Sequence, residues 1–251
     1  MASPMMSEVR GLHTRAKLAL DRKDHQVAFS LYEELAKLGD LEGKCRLASL
    51  HRDVRGDFGT AVEWYRRAAE QGSAEAQCML GYLYRGGQGV PKDDIRAVNC
   101  FRKAAELGYC EAEEAYAQCL ESGIGVAQDT EAAIHWYRRA ADHGSAGALV
   151  HLGKMFSGEK KNDVDFAQAF VYYARAAHLG DPEAQFELGL MYYDGRGVTK
   201  DIEKALKWLS ESSRRGYLVA RRVMMYLPEF LERTSTMPQY NGTGVQVKRT
   251  Q

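Results

Sequence analysis

Three glycine loops hold the residue types that first suggest chemistry. Gly87-Gln88-Gly89 is followed by Val90, and G-x-G-V recurs at Gly123, Gly125 and Val126 and at Gly195, Gly197 and Val198. A glycine loop ahead of a helix can cradle phosphate on its backbone N–H groups. That use calls for a strand leading into the loop, and none is readable here. One phosphate needs one cradle, whereas these copies stand 36 and 72 residues apart, which points to architecture. Ser157-Gly158-Glu159-Lys160 has the S-x-x-K spacing in which a lysine assists a serine nucleophile, but the accompanying S-D-N and K-T-G are absent. His143-Gly144-Ser145-Ala146-Gly147 lacks the leading glycine and the strand of a nucleophile elbow. The seven histidines give no H-x3-H, the five cysteines give no C-x-x-C, and no Cys/His group has zinc spacing. No metal, cofactor or nucleophile–base set is expected.

The bulk numbers exclude further classes. Lys plus Arg is 34 and Asp plus Glu is 34, so no long-range field draws the chain to nucleic acid or an anionic membrane. No apolar run has the length of a membrane span, and the start lacks the h-region of a signal peptide. Cys110 and Cys119 lie nine apart on one expected helix, too far along its axis to bond. Reduced thiols in a cytoplasmic protein are the expectation. Few prolines and many helix formers predict an all-α chain.

The elements that would carry any site come from a repeat. A glycine falls at 39, 72, 108, 144, 180 and 216, in steps of 33 and then 36. Eleven residues before it stands alanine each time (Ala28, Ala61, Ala97, Ala133, Ala169, Ala205), and seven before it a large residue (Tyr32, Tyr65, Phe101, Tyr137, Tyr173, Leu209). Spacings of four keep these on one helical face. After the glycine a second pattern begins. The fourth residue is small (Gly43 to Ala220), the eighth bulky (Leu47 to Met224) and the ninth mostly small (Ala48, Gly81, Ala117, Gly153, Gly189). Each unit is therefore a helical hairpin that the glycine ends, where positive φ is cheap. Asp93, Asp129 and Asp201 follow the loops as N-caps of the returning helix.

These residues resemble Sel1-like repeats, relatives of the tetratricopeptide repeat. Leu80-Gly81-x-x-Tyr84, Leu188-Gly189-x-x-Tyr192 and Ala97-x3-Phe101 carry the likeness. The resemblance implies an all-α, right-handed α-solenoid of about six antiparallel helical hairpins with a C-terminal capping helix. The division read along the chain is a flexible end at 1–10 and a degenerate hairpin at 11–39. Repeats follow at 40–72, 73–108, 109–144, 145–180 and 181–216, then a capping helix at 217–231 and a disordered tail at 232–251. The 40–72 repeat lacks the G-x-G-V loop, and the 145–180 repeat replaces it with "SGEKKNDVDFAQ".

The resemblance also implies a non-enzymatic scaffold or adaptor that binds another protein or peptide, a narrower form being neutralisation of a toxin or effector. The rival reading is a β-lactam hydrolase like the cysteine-rich branch of the family, whose two cysteines per repeat are missing here. Positions 6, 10 and 13 after each glycine share one flank, and the resemblance places that flank on a concave groove. The candidate partner-binding residues are Tyr82, Arg85, Glu114, Gln118, Glu121, Val150, Lys154, Phe186, Leu190, Tyr193, Arg222 and Tyr226. Phe186 and Leu190 read equally as groove or as packing between neighbouring first helices. Glu114, Gln118 and Glu121 form a stripe that either reads a basic segment or is a solvated face.

Overall fold

The computed structural model describes residues 4–158 and 164–235. Among the described residues the regular structure is thirteen helices and no strand. They are α1 (Pro4–Asp21), α2 (His25–Lys37), α3 (Leu41–Asp53), α4 (Phe58–Glu70), α5 (Ala74–Gly86), α6 (Asp94–Glu106) and α7 (Cys110–Ser122). Then come α8 (Thr130–Asp142), α9 (Ala146–Phe156), α10 (Phe166–His178), α11 (Pro182–Asp194), α12 (Ile202–Arg214) and α13 (Leu218–Ser235). The fold is the expected all-α solenoid of helical hairpins, α1/α2 through α11/α12, followed by one further helix. Two compact units divide the chain, Met1–Leu152 and Gly153–Gln251. In the first, each helix from α1 to α7 packs on the next; in the second, α10 packs on α11, α11 on α12 and α12 on α13. No described helix is long and apolar enough to cross a membrane.

The register read from the sequence sets the core. The residues seven before each repeat glycine are buried without exception, from Tyr32 at 4% exposure to Tyr65, Phe101 and Tyr137 at 0%. Where the residue nine after the previous glycine is itself glycine, the ring or leucine meets it on the first helix of its own hairpin. A Cβ added at Gly81 would lie 2.5 Å from Phe101, at Gly153 2.6 Å from Tyr173, and at Gly189 2.8 Å from Leu209. Small residues there let the two helices approach to ring-against-backbone distance.

Each hairpin turn closes with the same two bonds. The N–H groups of Asp57, Asp93, Asp129 and Asp201 donate to the carbonyls of His51, Tyr84, Leu120 and Tyr192 at 2.9 Å, and that of Asp165 to Phe156 at 2.8 Å. The same aspartates cap the next helix, accepting from Thr60, Arg96, Ala132, Gln168 and Lys204 at 2.9–3.0 Å. These backbone N–H groups hold the Asp57, Asp165 and Asp201 carboxyls below the usual carboxylate range. The 40–72 and 145–180 repeats, with different loop sequences, thus keep the closing geometry; residues 159–163 of the latter lie outside the described part.

The G-x-G loops are architectural. The second glycine of each loop rests on the first turn of the preceding hairpin's second helix: Gly89 on Phe58, Gly125 on Asp94 and Gly197 on Phe166. A Cβ there would strike main-chain atoms, and φ is already +71°, +69° and +67°. Carbonyl oxygens face these glycines, which is the wrong polarity for phosphate. Val90 and Val126 tuck against the core beside them.

Both ends differ from expectation. Residues 4–10 are helical, because Val9, Leu12, Ala16 and Ala19 form a stripe packed on α2. The last helix continues through Pro228 to Ser235; a proline removes one main-chain donor and does not by itself fix a boundary. The expected tail lies outside the described residues from 236 onward.

Two predictions follow from this packing. Gly125→Ala should lose about 1–3 kcal/mol in urea denaturation, whereas Ile124→Ala next to it, at an exposed site, should stay within about 0.5 kcal/mol. Equal losses would remove the loop from the inter-repeat contact. The second concerns His51, which is buried edge-on against Phe29 at 5.2 Å and whose pKa is lowered by burial and then by Arg55. Its neutral ring leaves the unfolded state holding more protons below about pH 6.5. Stability should therefore fall as pH drops through that value, and less steeply in His51→Gln, read as urea midpoints at pH 7.5 and 5.5.

Candidate functional site

The flank positions share one structural role in the first unit. They lean on the buried ring of their own hairpin. Ser49 on α3 bonds the Tyr65 hydroxyl at 2.9 Å. Tyr82 on α5 meets Phe101 edge-on at 4.9 Å, and Arg85 lies over both rings at 5.1 and 5.5 Å. Burial pushes the Tyr82 phenol up to about 12, Cys78 adding to the rise and Arg85 opposing it. The side chain stays a neutral donor at any physiological pH.

The middle stripe is a bonded network rather than a solvated face. Tyr137 donates its hydroxyl to Glu121 Oε2 at 2.7 Å. Glu121 is buried, and His151 Nδ1 stands 3.5 Å from the same oxygen. The His151 ring stacks on Tyr137 at 4.8 Å, with planes 8° apart. Glu114 accepts from Ser145 Oγ at 2.5 Å and from Gln118 Nε2 at 3.3 Å, and Gln118 approaches His151 Nε2 at 3.5 Å. Burial raises the Tyr137 pKa, and the Glu121 carboxylate it bonds adds to the rise. Glu121 is thus a structural acceptor and cannot itself meet a partner, which corrects its place among the candidates. Glu114 and Gln118 stay half-buried at the surface of the network.

The remaining candidates divide. Val150 is 4% and Phe186 7% exposed, so neither is a free anchor. Phe186 packs with Leu209 and Ala220, at 5.4 Å from the Tyr217 ring, and Leu190 packs beside it. The packing alternative is the observed one for this pair, because α13 lies over them. Lys154 pairs with Glu183 at 2.6 Å. Tyr193 is half-buried with Lys200 Nζ over its ring at 5.3 Å. Arg222 and Tyr226 are exposed on α13. The structure therefore brings Tyr82 and Arg85 together, and separately Glu114, Gln118 and Glu121.

Sequence reasoning missed His151, Ser145 and the hydroxyl of Tyr137. His151 stands seven after its glycine, a position with no fixed type in the repeat. The available signal was the phenol: a buried tyrosine needs an acceptor for its O–H, and an acid stood thirteen after the glycine in the same repeat.

Chemistry of other kinds has little to draw on here. Ser157 Oγ donates to the Lys154 carbonyl at 3.1 Å, and Lys160 lies outside the described residues. The five cysteines form no disulfide, and no His/Cys/Asp/Glu group among the described residues could hold a metal ion.

Comparison with known proteins places the fold. A crystal structure of a Sel1 repeat protein from Oxalobacter formigenes superposes with a TM-score of 0.75 at 32% identity, over 82% of this chain and 85% of that one. A protective antigen of uropathogenic Escherichia coli strains, described as displaying an SLR fold, gives 0.76 at 32% identity over 83% of this chain. This chain covers 46% of that protein's length. An immunity protein from Pseudomonas aeruginosa shares the fold at a TM-score of 0.57 and 20% identity, over 85% of this chain and 82% of that one. No curated protein sequence matches. The family model described as Sel1 repeat matches residues 20–40, 42–73, 74–109, 110–145, 146–181 and 182–217. With these six matches, and with rings and glycines meeting in the same register in the structure, the chain belongs to the Sel1 repeat family.

Proposed function

We propose that this chain is a non-enzymatic scaffold that binds a partner protein or peptide along the flank of its first helices, with Tyr82, Arg85, Glu114 and Gln118 as contact residues. The observation that carries this reading is preorganisation. These side chains are half-exposed yet held in place by rings and carboxylates beneath them, Arg85 by Tyr82 and Phe101, Gln118 and Glu114 by Ser145 and His151. A contact residue that is already ordered loses less freedom on binding. Tyrosine and arginine are the residue types that most often anchor such contacts.

The flank offers two kinds of recognition. The Arg85 guanidinium stacked on Tyr82 suits a carboxylate or a flat polar group. The Glu114 carboxylate suits a lysine, an arginine or a backbone N–H. The partner is therefore a polar segment with charges of both signs, and charge pairs would set its register. Neutralising a toxin would be one use of such a surface. The likeness to the Pseudomonas immunity protein supports the fold for that use and names no toxin.

The test is capture of partners from native extract on immobilised chain. Arg85→Glu with Gln118→Lys should reduce recovery of the specific partner about tenfold or more, a loss of roughly 1.4 kcal/mol or more. The helical circular dichroism and melting temperature of the variant should stay near wild type. Full recovery on a folded variant would discard this flank as the site.

A further inference from the structure

The last helix carries a face that no described residue covers. On α13, Leu218 is 75%, Val219 49%, Met225 67% and Tyr226 61% exposed. Arg221 and Arg222 lie between them, both exposed. Spacings of three, four and seven put these side chains on one side of the helix. The opposite side holds Ala220, Val223 and Met224 against the core with Phe186 and Leu209.

The face departs from the repeat in a directed way. Three residues after the glycine, the other first helices carry Glu42, Glu75, Glu111, Gly147 and Glu183; here Val219 stands in that place. Nine after it they carry alanine or glycine, where the ring of the second helix enters; here it is Met225. A ring entering at that position would meet the Met225 thioether in place of a hydrogen or a methyl group.

Charge narrows the occupant. A second copy docked face to face would set Arg221 and Arg222 against their own symmetry mates. Residues 236–251 contribute Lys248 and Arg249 and no acidic side chain, so that segment offers these arginines no side-chain carboxylate. We infer that the α13 face binds an acidic amphipathic helix of a partner protein. Its apolar stripe covers Leu218, Val219, Met225 and Tyr226, and its carboxylates pair with Arg221 and Arg222. Helix-in-groove recognition reads such anchors at i, i+3, i+4 and i+7, and bidentate arginine–carboxylate pairs fix the register. This surface is separate from the Tyr82–Gln118 flank and stands independently of it.

The experiment is a selection of displayed 18-residue helical peptides on the full chain, with counter-selection on Arg221→Glu/Arg222→Glu. Enriched peptides are then synthesised and titrated by fluorescence anisotropy. Expected are sequences with leucine or phenylalanine at i and i+4 flanked by aspartate or glutamate. Their affinity should fall about tenfold or more on the double charge variant and on Met225→Glu, and be unchanged on Arg85→Glu/Gln118→Lys. Exchanging the peptide's acids for lysines should restore binding to Arg221→Glu/Arg222→Glu. Circular dichroism of each variant confirms that α13 is retained. Enrichment of basic or uncharged peptides, no enrichment, or undiminished binding to the charge variant overturns the inference. So does a concentration-dependent dimer, seen by sedimentation, that Met225→Glu abolishes.

Discussion

A bulky side chain pressed against a glycine or alanine of the facing helix is the contact on which this array depends. Phe101 on Gly81, Tyr173 on Gly153 and Leu209 on Gly189 hold the two helices of a hairpin at a separation that one methyl group would disturb. Much else follows from it. A close pair needs a short return, which the aspartate closes by donating its N–H to the first helix and capping the second. A short return leaves a loop that has to lie somewhere, and the second glycine lets it lie on the neighbouring hairpin. Burial of the ring then obliges its hydroxyl, where it has one, to find a polar neighbour on the flank.

Two kinds of glycine are at work, and they differ in what they require. Gly39, Gly72, Gly108 and Gly144 end the second helices with φ between +82° and +94° and nothing within 4 Å of an added Cβ. Gly89 and Gly125 combine positive φ with no room at all. The first kind is about conformation alone, the second about conformation and space together. Both look alike in a sequence, which is why a recurring G-x-G can pass for a ligand loop until its surroundings are known.

The hairpins, their register and the buried rings are legible in the residue spacing, because repetition averages out the noise of single positions. Ala28 to Ala205 and Tyr32 to Leu209 fall on the same face six times over. The ends are less legible, since they lack a neighbour to repeat. The helix from Pro4 and the continuation past Pro228 depend on packing and on a main chain that tolerates one missing donor. On the flank, spacing puts Tyr82 and Arg85 on one side of α5, and the structure brings the two side chains together. Spacing leaves Phe186 open between groove and packing, and it does not foresee that Val150 is buried or that Glu121 has turned inward to a phenol. Linear spacing says which side of a helix a residue occupies. It does not say what lies opposite.

Met225 also bears on how such an array grows. The five preceding first helices, α3 to α11, keep a hydrogen or a methyl group where the last one has a thioether. A ring arriving at the usual register would therefore meet a flexible thioether on α13, whereas between two existing hairpins it meets a surface already shaped for it.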